Sequence, residues 1–448
     1  MEVRGWRLLA KANFPNLQPP TFNLLPPRFS GPKSLKPDKE SMDQVQLLTL
    51  WLPLLAAGAL LIRVGQALAA VGTARSRNAA SASARNLCDL SITVLAFSLL
   101  GIHLLTHGTS ARFLGNSIDF PVNTSALTLH FATMALIASG LVAPAVAGRS
   151  RWRVPVVGSM LLSVLLFPLL GRWVWYGWLK SLGLIDIGGA LPVHLAGALC
   201  AAVAAYWVGP RNGKYNHDGS TSIFPPHQAA LPAIGTLFMV AGWLPYVMGS
   251  TLLRSYDGGA AAMASAALNA LLAAAAGGLS AIFLSRFRNV QDDLTALCTG
   301  ILGGAVVITA ACGTIAPWQA VILGLIAGLL SPIVTQWIDF KCRLDDPGAV
   351  IAPHATGAIL AVLGGAIFAP IDMASRLHAL AAACLGIGCV AVVTLVASYL
   401  TFAALSRFGT LRVKEGDEFD GLDLAQHDVN AYPDFQQTTI KSYHLREA

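Results

Sequence analysis

The chain has 448 residues, of which 55 % are hydrophobic and only 12 % are charged, and its mean hydropathy is +0.61. Soluble domains carry about twice that share of charge, so the composition excludes an ordinary water-soluble domain and indicates a protein that lies in lipid. The formal net charge is +7, but the basic residues are scattered between apolar runs, so no nucleic-acid partner is expected. The seven cysteines stand singly without metal-ligand spacing, and neither a metal site nor a cofactor is predicted.

Apolar runs of about 20 residues, the length that crosses roughly 30 Å of hydrocarbon as a helix, recur along the chain. The predicted fold class is therefore an all-α polytopic membrane protein with eleven transmembrane helices. The predicted spans lie near 48–73, 88–106, 125–147, 155–171, 186–208, 229–253, 259–285, 294–312, 318–338, 349–369 and 378–405.

The distribution of basic residues between the spans predicts the topology. The loops assigned to one side carry fifteen Lys or Arg residues, and those on the other side carry five. Positive loops stay in the cytoplasm, so the C-terminus is predicted inside and the N-terminus outside a cell membrane. We predict a disordered tail over 1–47, a transmembrane domain over 48–405 and a cytoplasmic tail over 406–448. The first segment is Pro-rich and lacks the apolar core of a signal peptide.

A local pattern occurs twice, in segments 186–198 and 346–358. Asp, Gly, His, Gly and Ala fall at the same five offsets in both copies. Five spans separate the copies, and an odd shift reverses orientation, so the sequence predicts a 5+5 inverted repeat. His194 and His354 each follow their aspartate by eight residues, about 12 Å along a helix. Entering from opposite faces, both reach the middle of the bilayer, where the two imidazoles could meet.

Each of these histidines could also be a satisfied polar residue that packs one helix against another. Ionisable residues at mid-membrane are costly and usually mark a pathway, and two at matching repeat positions favour function. His103 and His130 lack a repeat partner, so we assign them structural roles. The repeated aspartates, Asp186 and Asp346, stand at helix N-termini, where capping is the expected role.

The first copy resembles the Asp-Phe-Ala-Gly-Gly-x-x-Val-His signature of the ammonium transporter (Amt/Mep/Rh) family, and the second resembles its second-histidine helix. The resemblance extends from about residue 48 to residue 435. It implies a homotrimer in membrane lipid, with one pore through each eleven-helix subunit. The implied function is transport of ammonium or ammonia: the cation is recruited at an outer aromatic site and deprotonated, and ammonia passes a twin-histidine pair. The family is not an enzyme family.

The resemblance implies roles for eight residues through their positions in the motifs. His194 and His354 match the twin histidines of the pore. The other implied residues are Trp175, Ser250 and Asp186 for substrate recruitment, and Tyr246, Phe131 and Met134 for the gate.

The outer gate departs from the usual family pattern. Tyr246 stands where a phenylalanine is usual, and Val247 replaces the asparagine that commonly follows it. An ungapped alignment puts Met134 at the other gate position, with Phe131 as the nearest aromatic residue. Ala349 replaces an aspartate usually found five residues before the second histidine. Selectivity or transport rate is therefore expected to differ from the common pattern.

Two other functions remain open from the sequence. The first is an ammonium sensor of the same fold that conducts little or nothing, and the second is a channel for another small solute such as carbon dioxide or methylammonium. The acidic run 415–420 is interpreted as a solvated face of the tail, which as in the family could dock a PII-type regulatory protein. Arg63, inside the first span, is expected to face protein or to reach the interface.

Overall fold

The computed structural model describes residues 39–107, 124–254, 259–289 and 293–433. Within these ranges the regular structure is helical, and the only β-type pairings are two isolated bridges. Ten helices are long and apolar enough to cross a membrane, which confirms the predicted all-α polytopic fold. The helix of the first span begins at Lys39; the rest of the predicted N-terminal tail lies outside the described residues.

The helices, labelled in chain order, are α1 (Lys39–Thr73), α2 (Ser76–Thr106), α3 (Thr124–Ala145), α4 (Arg153–Ser181), α5 (Ala190–Val208), α6 (Ala230–Arg254), α7 (Gly259–Arg288), α8 (Leu294–Val307), α9 (Pro317–Phe340), α10 (Ile351–Phe368), α11 (Met373–Arg407), α12 (Glu415–Asp420) and α13 (Leu422–His427). The first eleven correspond one to one with the apolar runs of the sequence.

The predicted eighth crossing differs from the others. Helix α8 has 14 residues, about 21 Å, which is shorter than the hydrocarbon thickness. After it the chain continues in turns, and the carbonyl oxygens of Thr309 and Ala310 accept hydrogen bonds from the N–H groups of Gly188 and Ile187, at 2.9 and 2.8 Å. Non-helical backbone is tolerated at membrane depth when it is buried against protein in this way. The described residues therefore hold ten helices of spanning length, and eleven crossings stay a prediction.

Helices α3 and α5 form the centre of the bundle. Nearly all of the α3 side chains are buried, as are most of those on α5. Helices α9 and α11 expose large apolar side chains such as Trp337 and Leu400. Apolar surface of this kind fits contact with lipid, whereas the buried central helices are available to build an internal site.

A buried ion pair accounts for the unusual Arg63. Its guanidinium contacts the Asp89 carboxylate, and the two side chains are 5 % and 1 % exposed. The Ser159 hydroxyl donates to the same carboxylate at 2.5 Å. Arg63 therefore faces protein, as one of the two interpretations predicted, and its charge is compensated inside the bundle.

The C-terminal segment packs on one end of the bundle. The Asp423 carboxylate accepts hydrogen bonds from the N–H groups of Ala80 and Ser81, at 3.0 and 2.7 Å, near the start of α2. The Glu418 carboxylate is buried and pairs with Arg412 at 2.7 Å. The interpretation of the acidic run as wholly solvated is therefore wrong at Glu418, because the tail folds back onto the helices. Residues 434–448 lie outside the described part.

A third ion pair joins two loops beside the tail. Arg211 donates from Nε and Nη2 to the two carboxylate oxygens of Asp345, at 2.9 and 2.8 Å. Burial by itself raises the pKa of Asp345, but the hydrogen bonds from Arg211 and the charge of Arg149 outweigh it and lower that pKa to about 2. The carboxylate is therefore ionised at any physiological pH.

Candidate functional site

The two repeated histidines meet in the interior. The Nδ1 atoms of His194 and His354 lie 3.1 Å apart, and the two rings stack with centroids 5.1 Å apart at 25°. Both side chains are essentially inaccessible to solvent. A neutral imidazole has one donor and one acceptor nitrogen, so this contact requires one Nδ1 to carry the proton and the other to accept it. The pair then presents one Nε2 acceptor and one Nε2–H donor at its outer edges.

Aromatic side chains from α6 enclose the first histidine. Trp243 stacks on His194 with centroids 5.1 Å apart at 14°, and Tyr246 meets the same ring edge-on at 6.1 Å. The Tyr246 hydroxyl donates to the carbonyl oxygen of Gly188 at 2.6 Å, which fixes its position across the α5 entrance. Among the described residues nothing hydrogen-bonds to the buried Nε2 of His194. The site therefore offers one available imidazole nitrogen between apolar walls.

The repeated aspartates cap the helices that carry the histidines. Asp186 accepts hydrogen bonds from the backbone N–H groups of residues 189–191, at 2.8, 2.6 and 2.9 Å. Asp346 accepts from the N–H of Ile351 at 2.8 Å, at the start of α10. A carboxylate at a helix N-terminus satisfies free N–H groups and complements the helix dipole. The caps thus fix where each helix begins, and with it the depth of its histidine.

A left-handed residue occupies the same offset in both repeat copies. Gly189 has φ +87° and Ala349 has φ +49°. Glycine adopts this conformation without strain, whereas alanine does so at a cost. A side chain at Gly189 would also begin 2.6 Å from the Trp175 indole. Glycine at this position therefore allows the backbone to pack against the tryptophan.

Four other predicted recruitment and gate residues are grouped with this tryptophan, Ser250 through Arg254, which contacts both; we call Phe131, Met134, Trp175, Asp186 and Ser250 the outer cluster. The rings of Phe131 and Trp175 lie 5.5 Å apart at 32°, and the Trp175 Nε1–H donates to the backbone oxygen of Asp186 at 2.9 Å. Met134 is buried beside the same turn. The Ser250 hydroxyl is buried and makes no hydrogen bond within the described ranges.

The structure adds three residues that sequence reasoning did not place at the site. Trp243 stacks on His194, a contact that depends on tertiary packing. The guanidinium of Arg254, the last residue of α6, lies 3.9 Å above the Trp175 ring. His130, assigned a structural role, is buried edge-on to Phe131 at 5.6 Å. For Arg254 a signal existed: it follows Ser250 by four residues and so shares its helix face.

The site and the tail occupy opposite ends of α4. Arg153, at its start, donates to the carbonyl oxygen of Phe408 at 2.9 Å. Trp175 lies about 33 Å further along the helix. The outer cluster, the histidine pair and the tail thus follow one another through the bundle.

The fold and the site define a polytopic helical membrane protein with a buried histidine pair between aromatic walls. Comparison with known proteins identifies the family, because the Ammonium Transporter Family matches residues 50–432. The ammonium transporter Amt2 of Haloferax mediterranei is 32 % identical over 397 residues, covering 84 % of this chain and 87 % of that protein. The Amt2 of Archaeoglobus fulgidus is 32 % identical over 411 residues, covering 84 % and 86 %. This chain belongs to the ammonium transporter family.

Solved structures agree with that assignment. A structure described as a Sensor Amt Protein superposes with a TM-score of 0.81 at 31 % identity and covers 86 % of this chain and 99 % of its own. Mep2 of Candida albicans superposes with a TM-score of 0.72 at 22 % identity, covering 84 % and 88 %. The second likeness demonstrates the shared fold.

Proposed function

We propose that this chain transports ammonium across a membrane by moving ammonia and a proton through a pore in each subunit. The observation that carries the proposal is the 3.1 Å contact between the buried imidazoles of His194 and His354. An isolated ammonium ion would lose tens of kcal/mol of solvation in an apolar interior, on the order of the Born cost. Neutral ammonia gives up only a few hydrogen bonds. Deprotonation before entry therefore makes passage feasible.

The outer cluster recruits the cation in this mechanism. An aromatic face such as that of Trp175 attracts a cation by about 0.5–2 kcal/mol. The buried Ser250 hydroxyl has no hydrogen-bond partner among the described residues, so it can accept an N–H bond from the ion. The Asp186 carboxylate is engaged by the backbone N–H groups of residues 189–191. Its part is to cap α5 and to supply negative charge nearby, without direct contact to the ion.

The histidine pair relays the proton. The proton that ammonium releases at the outer cluster binds to the Nε2 acceptor of the first imidazole, whose Nδ1 proton passes to Nδ1 of the second, which releases its own Nε2 proton. Charge and protons balance, and the two tautomers end inverted, so they must reset before the next cycle. Imidazole suits this step because it changes protonation near neutral pH. Tyr246, together with Phe131 and Met134 of the outer cluster, forms the apolar gate in front of the histidine pair.

The assembly and orientation follow from the family and the charge pattern. The functional unit is a homotrimer in the cell membrane with a cytoplasmic C-terminus, in line with fifteen basic loop residues against five. The tail packs on the bundle through Asp423 and Glu418, a position from which a PII-type regulatory protein could act on the transmembrane part.

The test is ammonium-driven current from full-length protein in liposomes on a solid-supported membrane. Wild type should give a current that is lost or altered in His194→Ala and in His354→Ala. His103→Ala is the matched control, because that histidine is exposed on α2 away from the pair. Unchanged transport and selectivity in both single variants of the pair would refute the mechanism.

Ammonium sensing with little conduction is the second candidate function. It is favoured by the likeness to the structure described as a Sensor Amt Protein, at 31 % identity, and by a tail seated against the helices. If wild-type protein binds ammonium but carries no current and causes no pH change inside the liposomes, sensing would be favoured over transport.

A further inference from the structure

Arg254 places a positive charge on the aromatic face of the outer cluster. Its guanidinium carbon lies 3.9 Å from the centroid of the Trp175 ring and 5.6 Å from that of Phe131. Its Nη1 lies 3.4 Å from the backbone oxygen of Ser250. The aromatic rings and the serine are the groups assigned above to ammonium.

The position of Arg254 on α6 explains this contact. It is the last residue of α6 and follows Ser250 by four residues, so the two side chains share one helix face. Its long side chain reaches back along that face and lays the planar guanidinium on the indole, the stacking for which arginine is suited. Within the described ranges no carboxylate forms an ion pair with it. The guanidinium is instead held by the aromatic rings, the Ser250 backbone oxygen and the Tyr176 side chain.

Two cations cannot share one aromatic face at this distance. The attraction of a ring for a cation is about 0.5–2 kcal/mol, and a guanidinium held there covalently occupies the face without the entropic cost of association. An incoming ammonium ion would also meet like charge. Recruitment must therefore include displacement of the arginine.

We infer that Arg254 is a tethered competitor of the substrate, which occupies the recruitment face of Trp175 until ammonium displaces it. This inference rests on the proposed role of the outer cluster. It assigns to Arg254 the setting of apparent ammonium affinity: the outer site binds only when the ammonium concentration is high enough to displace the guanidinium. The arginine sets the affinity for ammonium and takes no part in the proton relay.

The first experiment compares the ammonium concentration for half-maximal current in wild type, Arg254→Gln, Arg254→Lys and Lys180→Gln. Removing the competitor should lower this concentration by about 2- to 30-fold in Arg254→Gln, the factor that corresponds to a cation–π contact. Lysine keeps the charge but stacks less well, so the half-saturating ammonium concentration of Arg254→Lys should lie between those of wild type and Arg254→Gln. Lys180→Gln is the matched control, because it removes one charge from an exposed position at the end of α4 that carries Trp175. Its half-saturating ammonium concentration should stay within about twofold of wild type.

Free guanidinium provides a second, chemical test on the same proteins. In Arg254→Gln the vacated ring should bind the added ion, so guanidinium chloride should raise the half-saturating ammonium concentration at least threefold relative to equimolar sodium chloride. In wild type the face is already occupied, and the same addition should have less than half that effect. Equal sensitivity of the two proteins would overturn the inference.

The remaining outcomes also decide the matter. An unchanged or higher half-saturating concentration in Arg254→Gln, or loss of binding, would show that Arg254 does not compete; if that variant fails to fold, Arg254→Lys makes the same comparison. If wild type carries no current, the proposed transport fails, and ammonium-dependent thermal stabilisation of the full-length protein still measures binding. An increase in melting temperature that begins at a lower ammonium concentration in Arg254→Gln than in wild type would then support the competitor role.

Discussion

Replacing Asp89 by leucine removes the anion that compensates Arg63 inside the bundle. The arginine keeps only neutral partners, the Gln66 side-chain oxygen and the Asn86 backbone oxygen, both at 3.2 Å. Its charge is then buried without an opposite charge. Breaking a buried pair from one side costs about 3–5 kcal/mol. The unfolding entropy is about 2.1 cal/mol/K per residue, so for 448 residues each kcal/mol of lost stability lowers the melting temperature by about 1 °C. A decrease of about 3–5 °C is therefore expected.

Replacing both charges should restore most of that loss. In Arg63→Met/Asp89→Leu no ion is buried, and the two volumes are roughly kept. The hydroxyl of Ser159, which donates to Asp89, can also donate to the backbone oxygen of Pro155 at 2.8 Å, so it is not left without a partner. The double variant should therefore melt within about 1 °C of wild type, which regains about 2–4 kcal/mol of the stability lost in Asp89→Leu.

The assay is thermal unfolding of full-length protein in detergent, followed by tryptophan fluorescence, for wild type, both single variants and the double variant. A double variant as unstable as Asp89→Leu alone would refute the reasoning, because it would mean that packing or hydrogen bonding, rather than the uncompensated charge, set the cost.

Three further predictions use the same melting assay or proteolysis. Gly189→Ala should lower the melting temperature by about 2 °C, because the new Cβ is strained at φ +87° and meets the Trp175 indole. Ala349→Gly should raise the melting temperature by about 1 °C, because it relieves the same strain at φ +49°. Melting-temperature changes of the same sign in the two variants would contradict this. The pKa of Asp345 is about 2 in the folded protein and about 3.9 in the unfolded chain. The ionised carboxylate therefore contributes about 2–3 kcal/mol to the free energy of unfolding above pH 4, and this contribution is lost as the pH falls toward 2. Asp345→Asn should be less stable than wild type at pH 7 and should lack that pH dependence. Asp423→Ala should speed proteolysis of the tail about tenfold by removing two N–H bonds, with exposed Asp420→Ala as the unaffected control.

The sequence was most informative where a regular physical spacing determines the structure. Length and hydropathy alone locate the helices, because every span must be apolar and about 20 residues long. The helices begin at Ala190 and Ile351, so fewer than eight helical residues separate each capping aspartate from its histidine. The repeat still predicts that His194 and His354 meet, because both follow their aspartate by eight residues. The 3.1 Å contact between them agrees with that expectation, whereas their function in transport stays a proposal.

The sequence could not identify contacts between distant segments. It gave two options for Arg63, and only packing showed that Asp89, on another helix, compensates its charge. It treated the acidic run as solvated, because nothing local indicates that Glu418 folds back to meet Arg412. Hydropathy also does not report the hydrogen bonds by which Thr309 and Ala310, after the short α8, meet the entrance of α5, and the eighth crossing stays a prediction.

By itself, then, the sequence determined the class of protein and the helices, because lipid imposes length and apolarity on each segment separately. Tertiary structure decided which side chains share one space. Whether Arg254 lies in water or on Trp175, and whether Trp243 covers His194, depends on how α4, α5 and α6 pack. The periodicity of any one helix contains no information about its neighbours across the bundle.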